Sequence, residues 1–331
     1  MSTGWEPHLA TAADLGVDGP LRVTLPAFVR WQVARWPKLR ESREALAGVR
    51  TRTLDAGARR FTVQWNPARA VSSTAKVDPA SIAARPCFLC PHALPPEEGG
   101  LAFGDGWVIL PNPAPILADH LVIAHRDHRP QQVLDALPAL LAFVEACDGA
   151  MTGLYNGPRC GASAPDHLHL QAVAAGQLPE EGRGPERIVG RPRGATVWTA
   201  VDAGREVVGI RGPRAAVEAA TRDWIDALWA LEPGPDEPRV NLVVTLDAGE
   251  PTVRLFPRGA HRPACFFAEG ADKLSISPGV IDMAGVVVTV RETDFERLDG
   301  PTLAGILREV TLPPERMADV VQRLRGRWGD G

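Results

Sequence analysis

Leu21 to Val49 mixes apolar and charged positions at helical spacing. Phe28, Trp31, Val33 and Trp36 supply the apolar side, and Lys38, Arg40, Glu41, Arg43 and Glu44 the charged one. The pattern predicts helices lying over a sheet. Phe61 to Trp65 predicts a short strand that stops at Asn66-Pro67, and the polar run from Val71 to Asp78 reads as a loop. Two apolar runs, Trp107 to Leu110 and Leu121 to Ala124, flank a proline-rich turn and predict a strand pair. Gln131 to Asp148 reads as a helix that Pro138 kinks or splits. From Ala164 to Val173, His167, His169 and Gln171 alternate with Leu168, Leu170 and Ala172. A period of two predicts a strand with its polar groups on one face. Gln177 to Ala195 turns to Pro, Glu, Gly and Arg without apolar periodicity and reads as a linker. Beyond it the pattern predicts two short strands in Thr196–Ile210, a helix in Pro213–Leu231 with proline in its first turn, and a hairpin in Arg239–Pro257. A loop and strand follow in Ser275–Thr289, then helices over Asp294–Leu298 and Pro313–Arg325.

Composition narrows the class. The 331 residues are 45% hydrophobic and 23% charged, enough for one large or two medium globular domains. A net charge of -4 gives no basic field for nucleic acid. The most apolar stretch, Val133 to Met151, is broken by Asp135, Pro138, Glu145 and Asp148, so no membrane span is expected. The first ten residues lack a basic region followed by an apolar run, which sets cytoplasmic as the expected location.

Four stretches carry candidate chemistry. Two imidazoles and a carboxamide along one strand face are costly to bury without partners, and they suit phosphate oxygens or a metal. Cys87 and Cys90 form a C-x-x-C, which reads as a redox pair, as two core cysteines, or as half of a zinc site. In the zinc reading, His128 and His167 are the candidates for the other half. Asn66-Pro-Ala-Arg69 reads either as a strand entering a proline turn or as a phosphate contact through the Arg69 fork, and Pro257-Arg258-Gly-Ala-His261 reads as a basic surface turn or as a second such contact.

Together, H-x-H-x-Q at His167–Gln171, the run from Asn112 through His120-Leu-Val-Ile to His128, Cys87-Phe-Leu-Cys90, Asn66-Pro-Ala-Arg69 and Pro257-Arg258 resemble the transferase branch of the histidine-triad superfamily in content and order. That branch includes galactose-1-phosphate uridylyltransferase, diadenosine tetraphosphate phosphorylase and the GDP-hexose phosphorylases. Two departures stand out: His125 where the family usually has proline, and Asp166 before His167.

The resemblance implies an α+β histidine-triad-like fold. Its two halves, 1–180 and 195–331, would each carry a mainly antiparallel sheet covered by helices. It implies a nucleotidyltransferase or phosphorylase working through a nucleotidyl-histidine. His169 would be the catalytic nucleophile, with Gln171 and His167 beside it. Asn66, Arg69, Asn112, His120, Asn156, Ser163, Arg258 and His261 would bind substrate. Cys87, Cys90, His128 and His167 would hold structural zinc. The implied partners are a nucleotide or nucleotide-sugar substrate and a phosphate or sugar-phosphate acceptor, with no nucleic acid and no membrane, and with room for a homodimer. Two alternatives stay open: a histidine-triad nucleotide hydrolase and a non-catalytic nucleotide-binding protein.

Overall fold

The helix at Val133–Ala146 shows how local sequence and distant residues build this molecule together. Its N-cap, Gln132, offers no side-chain cap. The buried Glu237 takes that role, accepting the Val133 N–H and the Tyr155 hydroxyl. Pro138 inside the helix has no N–H for the Leu134 carbonyl, and Arg222 of a neighbouring helix donates to that carbonyl instead, at 3.2 Å. The helix is therefore one continuous element rather than two.

The structure is a computed structural model that describes residues 4–70, 78–179, 186–234 and 236–329. The loop expected over Val71–Asp78 falls, up to residue 77, outside the described residues. Helices α1 (Leu21–Arg35), α2 (Pro37–Ala47), α3 (Val133–Ala146), α4 (Arg214–Leu231), α5 (Val280–Met283), α6 (Glu292–Arg297), α7 (Gly300–Val310) and α8 (Pro314–Trp328) accompany thirteen strands among these residues. The strands are β1 (Arg50–Ala56), β2 (Arg59–Trp65), β3 (Leu101–Phe103), β4 (Trp107–Pro111), β5 (Leu121–His125), β6 (Met151–Asn156), β7 (His169–Ala174), β8 (Arg187–Gly190), β9 (Thr196–Asp202), β10 (Arg205–Arg211), β11 (Val240–Asp247), β12 (Glu250–Pro257) and β13 (Val286–Thr289).

The fold is α+β and mainly antiparallel, as expected. Its strands, however, make one continuous ten-stranded sheet in the order β3-β4-β5-β7-β6-β11-β12-β10-β9-β8. Read inward from either edge, the connections repeat: three strands, a helix crossing the sheet, then a pair at the centre. β6 and β11 meet antiparallel in the middle, with Asn156 opposite Asn241. On one face α3, α4 and α8 bury Leu170, Ala172, Leu242, Val244, Val253 and Leu255 in a common core. Over the centre of the other face lies a three-stranded sheet, β1-β2-β13. In it β13 runs parallel to β2, pairing Val286 with Thr62 and Thr289 with Trp65.

Two expectations change. The linker read from Gln177 to Ala195 contains the edge strand β8 and a 3-10 turn at Pro192–Gly194, while residues 180–185 lie outside the described residues. Ile188 and Val189 make a strand too short for periodicity to reveal. The strand expected from Ala164 begins at His169, and His167 sits in a bend before it. No helix among the described residues is long and apolar enough to cross a membrane.

Candidate functional site

Alternation along β7 sends Leu168, Leu170 and Ala172 into the helix-covered core and leaves His169 and Gln171 on the opposite face. The ladder between β6 and β7 ends at Leu154 opposite Gln171. Beyond that point the Gln131 side chain bridges the opening strands. Its Nε2 donates to the carbonyls of Asn156 and His169, both at 2.9 Å, and its Oε1 accepts the His169 N–H at 2.8 Å. Sequence reading gave Gln131 no role, because a glutamine at the start of a helical pattern carries no local signal.

The His169 backbone is thus fixed on both sides, and its ring is fixed too. Nδ1 lies 2.8 Å from the His167 carbonyl oxygen, which can only accept. The proton is therefore on Nδ1, and the lone pair is on Nε2. Burial lowers the His169 pKa, so the ring is neutral near pH 7.

A second chain of hydrogen bonds orients Gln171. The backbone N–H of Ile116 donates to His120 Nδ1 at 3.2 Å, so the His120 proton is on Nε2. That nitrogen stands 2.9 Å from Gln171 Oε1 and donates to it. The carboxamide oxygen is thereby held, and its NH2 is the group left for other partners. Burial, with Arg69 nearby, pushes the His120 pKa down to about 4, so this arrangement persists at neutral pH. Asn156 is fixed in the same manner. Its Oδ1 accepts from Asn241 Nδ2 at 2.9 Å and from the Val280 N–H at 2.8 Å, leaving its NH2 to the cavity.

Gln171 and Asn156 border a small cavity of about 80 Å³, lined also by Arg69, Ser163 and His261 together with Gly161, Arg262, Ser277 and Asp282, while His169 and His120 are buried behind this lining. Gly161 is required there: its φ is +116°, and a Cβ on it would stand 2.5 Å from Asn156 Oδ1. Asp282 accepts the N–H groups of Gly279 and Val288, and burial pushes its pKa up to about 6.

Other expected substrate contacts fall elsewhere. Asn66 is buried behind the cavity, donating to Gln64 Oε1 at 3.1 Å, and Asn112 caps its own turn by accepting the Ala114 N–H at 3.0 Å. His120 lies under Gln171. Arg258 is not a cavity residue. Its guanidinium is buried and committed to the carbonyls of Val310, Pro278, Ala260 and His261 and to Asn241 Oδ1. The arginine that does reach the cavity from this segment is Arg262, four residues on, and no sequence pattern distinguished the two.

Beside the cavity, Cys87, Cys90, His128 and His167 bring one ligand atom each to within 4.8 Å of one another. Cys87 Sγ is 3.3 Å from His167 Nδ1, and Cys90 Sγ is 3.4 Å from His128 Nδ1 and 3.5 Å from His167 Nδ1. A tetrahedral zinc ion at ~2.3 Å from sulfur and ~2.0 Å from nitrogen would space S and N about 3.5 Å apart. The four residues can therefore hold a metal. His167 Nε2 donates to the His125 carbonyl at 2.7 Å, which fixes the tautomer that presents Nδ1. Asp166, salt-bridged to Arg85 at 3.0 Å, lies 3.9 Å from His128 Nε2. Burial, with Cys87 adjacent, pushes the Cys90 thiol up to about 12, so Cys90 becomes a thiolate only beside a cation.

Residues 28–174 match the model of a domain of unknown function, DUF4922. A comparison with curated proteins finds no match. Among solved structures the chain is similar to yeast Ap4A phosphorylase Apa2, with a TM-score of 0.58 at 12% identity over 84% of this chain and 97% of that one. The same yeast enzyme in complex with Ap4A aligns with a TM-score of 0.55 at 13% identity, covering 86% and 97%. The fold is that of this yeast phosphorylase. A GalT-like protein from Arabidopsis thaliana also aligns, with a TM-score of 0.36 at 11% identity over 80% of this chain and 100% of that one. In this scaffold the cavity and the Cys–His cluster both lie near the start of β7, where the ladder to β6 opens.

Proposed function

We propose that this protein is a phosphorylase-type nucleotidyltransferase with His169 as its covalent nucleophile. The observation that supports it most is the pairing of His169 Nδ1 with the His167 carbonyl, which leaves Nε2 as the nucleophile of a neutral ring. Nε2 attacks the α-phosphorus of a nucleotide substrate. The Nε2–P bond forms as the bond from phosphorus to the bridging oxygen breaks, and the electron pair leaves with the departing phosphate. An oxygen of an acceptor phosphate then attacks the same phosphorus and releases Nε2. The NH2 groups of Gln171 and Asn156 donate to non-bridging oxygens as charge develops, with Ser163 and Arg69 beside them.

Gln171 has no proton to give a leaving group, unlike the histidine of the hydrolases. That favours exchange between phosphates, which leave without protonation. Zinc on Cys87, Cys90, His128 and His167 would be structural, since the four ligands leave no open position, and it would pin the entry of β7 to the loop after β5. In this reading residues 1–180 hold the chemistry, and 195–331 supply the second half and the far wall of the cavity.

The test is covalent trapping. Dinucleoside polyphosphates and nucleoside diphosphate sugars labelled at the α-phosphate are incubated with the protein, and the label is mapped by mass spectrometry. The expected result is an acid-labile nucleotidyl group on His169 that inorganic phosphate or a sugar phosphate discharges. Turnover without label, or label discharged only by water, would favour the hydrolase. Nucleotide binding with neither label nor turnover would favour the non-catalytic module.

A further inference from the structure

The two imidazoles of the Cys–His cluster are held in different ways. His167 is buried, and its Nε2 is taken by the His125 carbonyl. His128 turns Nδ1 toward Cys90, but its side chain is 48% exposed, the one ligand of the four that packing leaves loose. A neutral imidazole that ligates through one nitrogen carries its proton on the other, and a metal makes that N–H a stronger donor. On His128 that nitrogen is Nε2, and Asp166 Oδ2 stands 3.9 Å from it. The separation is longer than a hydrogen bond and within ion-pairing range.

Asp166 is itself held. Arg85 Nη2 donates to its Oδ1 at 3.0 Å, and both side chains are mostly shielded from water. Arg85 precedes Cys87 by two residues, and its guanidinium lies over the ring of Phe88, 4.9 Å from the centroid. Between the two cysteines Leu89 is buried and Phe88 is half-exposed. The phenylalanine of C-F-L-C is therefore a cover for Arg85 rather than part of the core. Charge is consistent with this arrangement. Two thiolates balance a dication and Arg85 balances Asp166, so the carboxylate stands beside the centre without leaving a net buried charge.

The same Nη2 has a second acceptor, the Ser163 carbonyl, at 3.3 Å. Ser163 lines the cavity. Two residues on, the Pro165 carbonyl accepts the Gln131 N–H at 3.0 Å. The segment between the cavity and β7 is thus tied at two points, to Gln131 and, through Arg85, to the cysteine loop. Only the second tie runs through the segment that carries Cys87 and Cys90.

We propose that Asp166 is the outer partner of the metal ligand His128, and that Arg85 carries the occupancy of the metal centre to the cavity loop at Ser163. Both act as positioning residues, since neither is among the four ligands. With the centre filled, the Cys87 loop holds Arg85 against Ser163. With it empty, the loop and that hydrogen bond loosen together. Asp166 is one of the two positions where this sequence departs from the histidine-triad pattern, so the device belongs to this chain and is not carried over with the resemblance.

The inference rests on the metal reading of the cluster, so metal uptake is measured first. Full-length protein stripped by a chelator is titrated with zinc against a chromophoric chelator. One bound zinc is expected, and no uptake would overturn the metal reading and the inference together. Removing the outer partner of a ligating histidine weakens metal binding ~10–100-fold. Asp166→Asn should show that loss while the Tm of the metal-free protein stays native, and Asp166→Glu should recover part of the affinity. An aspartate with only a structural role would lower the metal-free Tm and leave zinc affinity unchanged.

The coupling is read by hydrogen exchange at the amides of Ala162 and His167, which donate to the carbonyls of Gly157 and Ala164. Stripping zinc should speed their exchange about tenfold, the loss of one charge-assisted hydrogen bond. Arg85→Gln should speed it as much with zinc saturating. If zinc binds and Asp166→Asn keeps native affinity, or if exchange in this loop ignores both zinc and Arg85→Gln, the proposal falls and the metal reading stands.

Discussion

β7 and β12 occupy equivalent places, each second from the centre of the ten-stranded sheet and each backed by the same helix-covered core. Toward the same face β7 presents His169 and Gln171, and β12 presents Thr252 and Arg254. Cross-strand registers run from Gln171 through Leu154 and Val243 to Arg254. Around β7 the polar atoms of His120, Gln171, Asn156 and Gln131 are paired in a directed way, and the cavity is small. Around β12 an open groove of about 880 Å³ runs to Trp198, whose ring lies flat over Gly209, where a Cβ would come within 1.9 Å. Thr252 there is only 2% exposed, yet its hydroxyl has no hydrogen-bond partner. Outward of β7, β5 and then β4 are covered by the loop of Cys87 and Cys90, whereas β9 and β10 line the open groove. The scaffold alone therefore makes a sheet face; what sets β7 apart is an imidazole with a fixed tautomer and partners that fix its neighbours.

Changes at matched positions put that contrast to work. His169→Asn should lower transfer by ~10⁴–10⁶-fold with folding intact, while Thr252→Ala on β12 should leave the rate near native. Steady-state assays of both variants decide it, and a large loss at Thr252 would mean the second face takes part. Next in size is the Cys–His cluster. Cys87→Ser or a strong chelator should remove metal and several kcal/mol of stability, lowering Tm by about 10 °C or more. Cys147→Ser, a buried thiol of the helix core, should leave metal content unchanged in elemental analysis.

Third comes the orientation of Gln171. Gln171→Ala should cost ~10²–10³ in kcat, and His120→Ala a smaller part of the same effect with KM little changed. His120 also predicts a pH effect. Its pKa falls from the ordinary 6.5 unfolded to about 4 folded, so the unfolded chain binds the proton first. Stability is intact above pH 6.5 and falls between 6.5 and 4, by up to about 3 kcal/mol from this residue. Denaturant titrations at several pH values should show a flatter profile in His120→Ala. The smallest effect is expected from Thr252→Val. Replacing an unpartnered buried hydroxyl should change stability by less than about 1 kcal/mol, toward stabilisation, whereas Asn156→Ala should destabilise clearly.

Much of the first half was legible because its chemistry is local. The alternation around His169, the spacing of Cys87 and Cys90, and the hairpin from Trp107 to Ala124 each fit within a short window, where residue types and period carry the information. What failed was non-local. Nothing near Arg258 says that carbonyls from three segments will consume its donors, and nothing near Gln131 says that it will bridge an opening ladder. β1 and α7 were not anticipated either. Arg50–Ala56 alternates among charged and small residues, and Gly300–Val310 opens on glycine and proline, so both take their form from what packs on them. The merging of all ten strands was hidden for the same reason, since the pairing of β6 with β11 joins residues about ninety apart.

The parallel pairing of β13 with β2 joins Val286 to Thr62. On a ribosome the chain delivers His169, Gln171 and the four Cys–His ligands long before it delivers Ser277, Asp282 and β13. Contacts across so many residues form slowly and late. A nascent chain carries His169 through roughly the next hundred residues without the loops of His261, Arg262 and Ser277. The two sides of the cavity are thus made far apart in time, and the wall of His261, Arg262 and Ser277 reaches β7 only after these later segments exist.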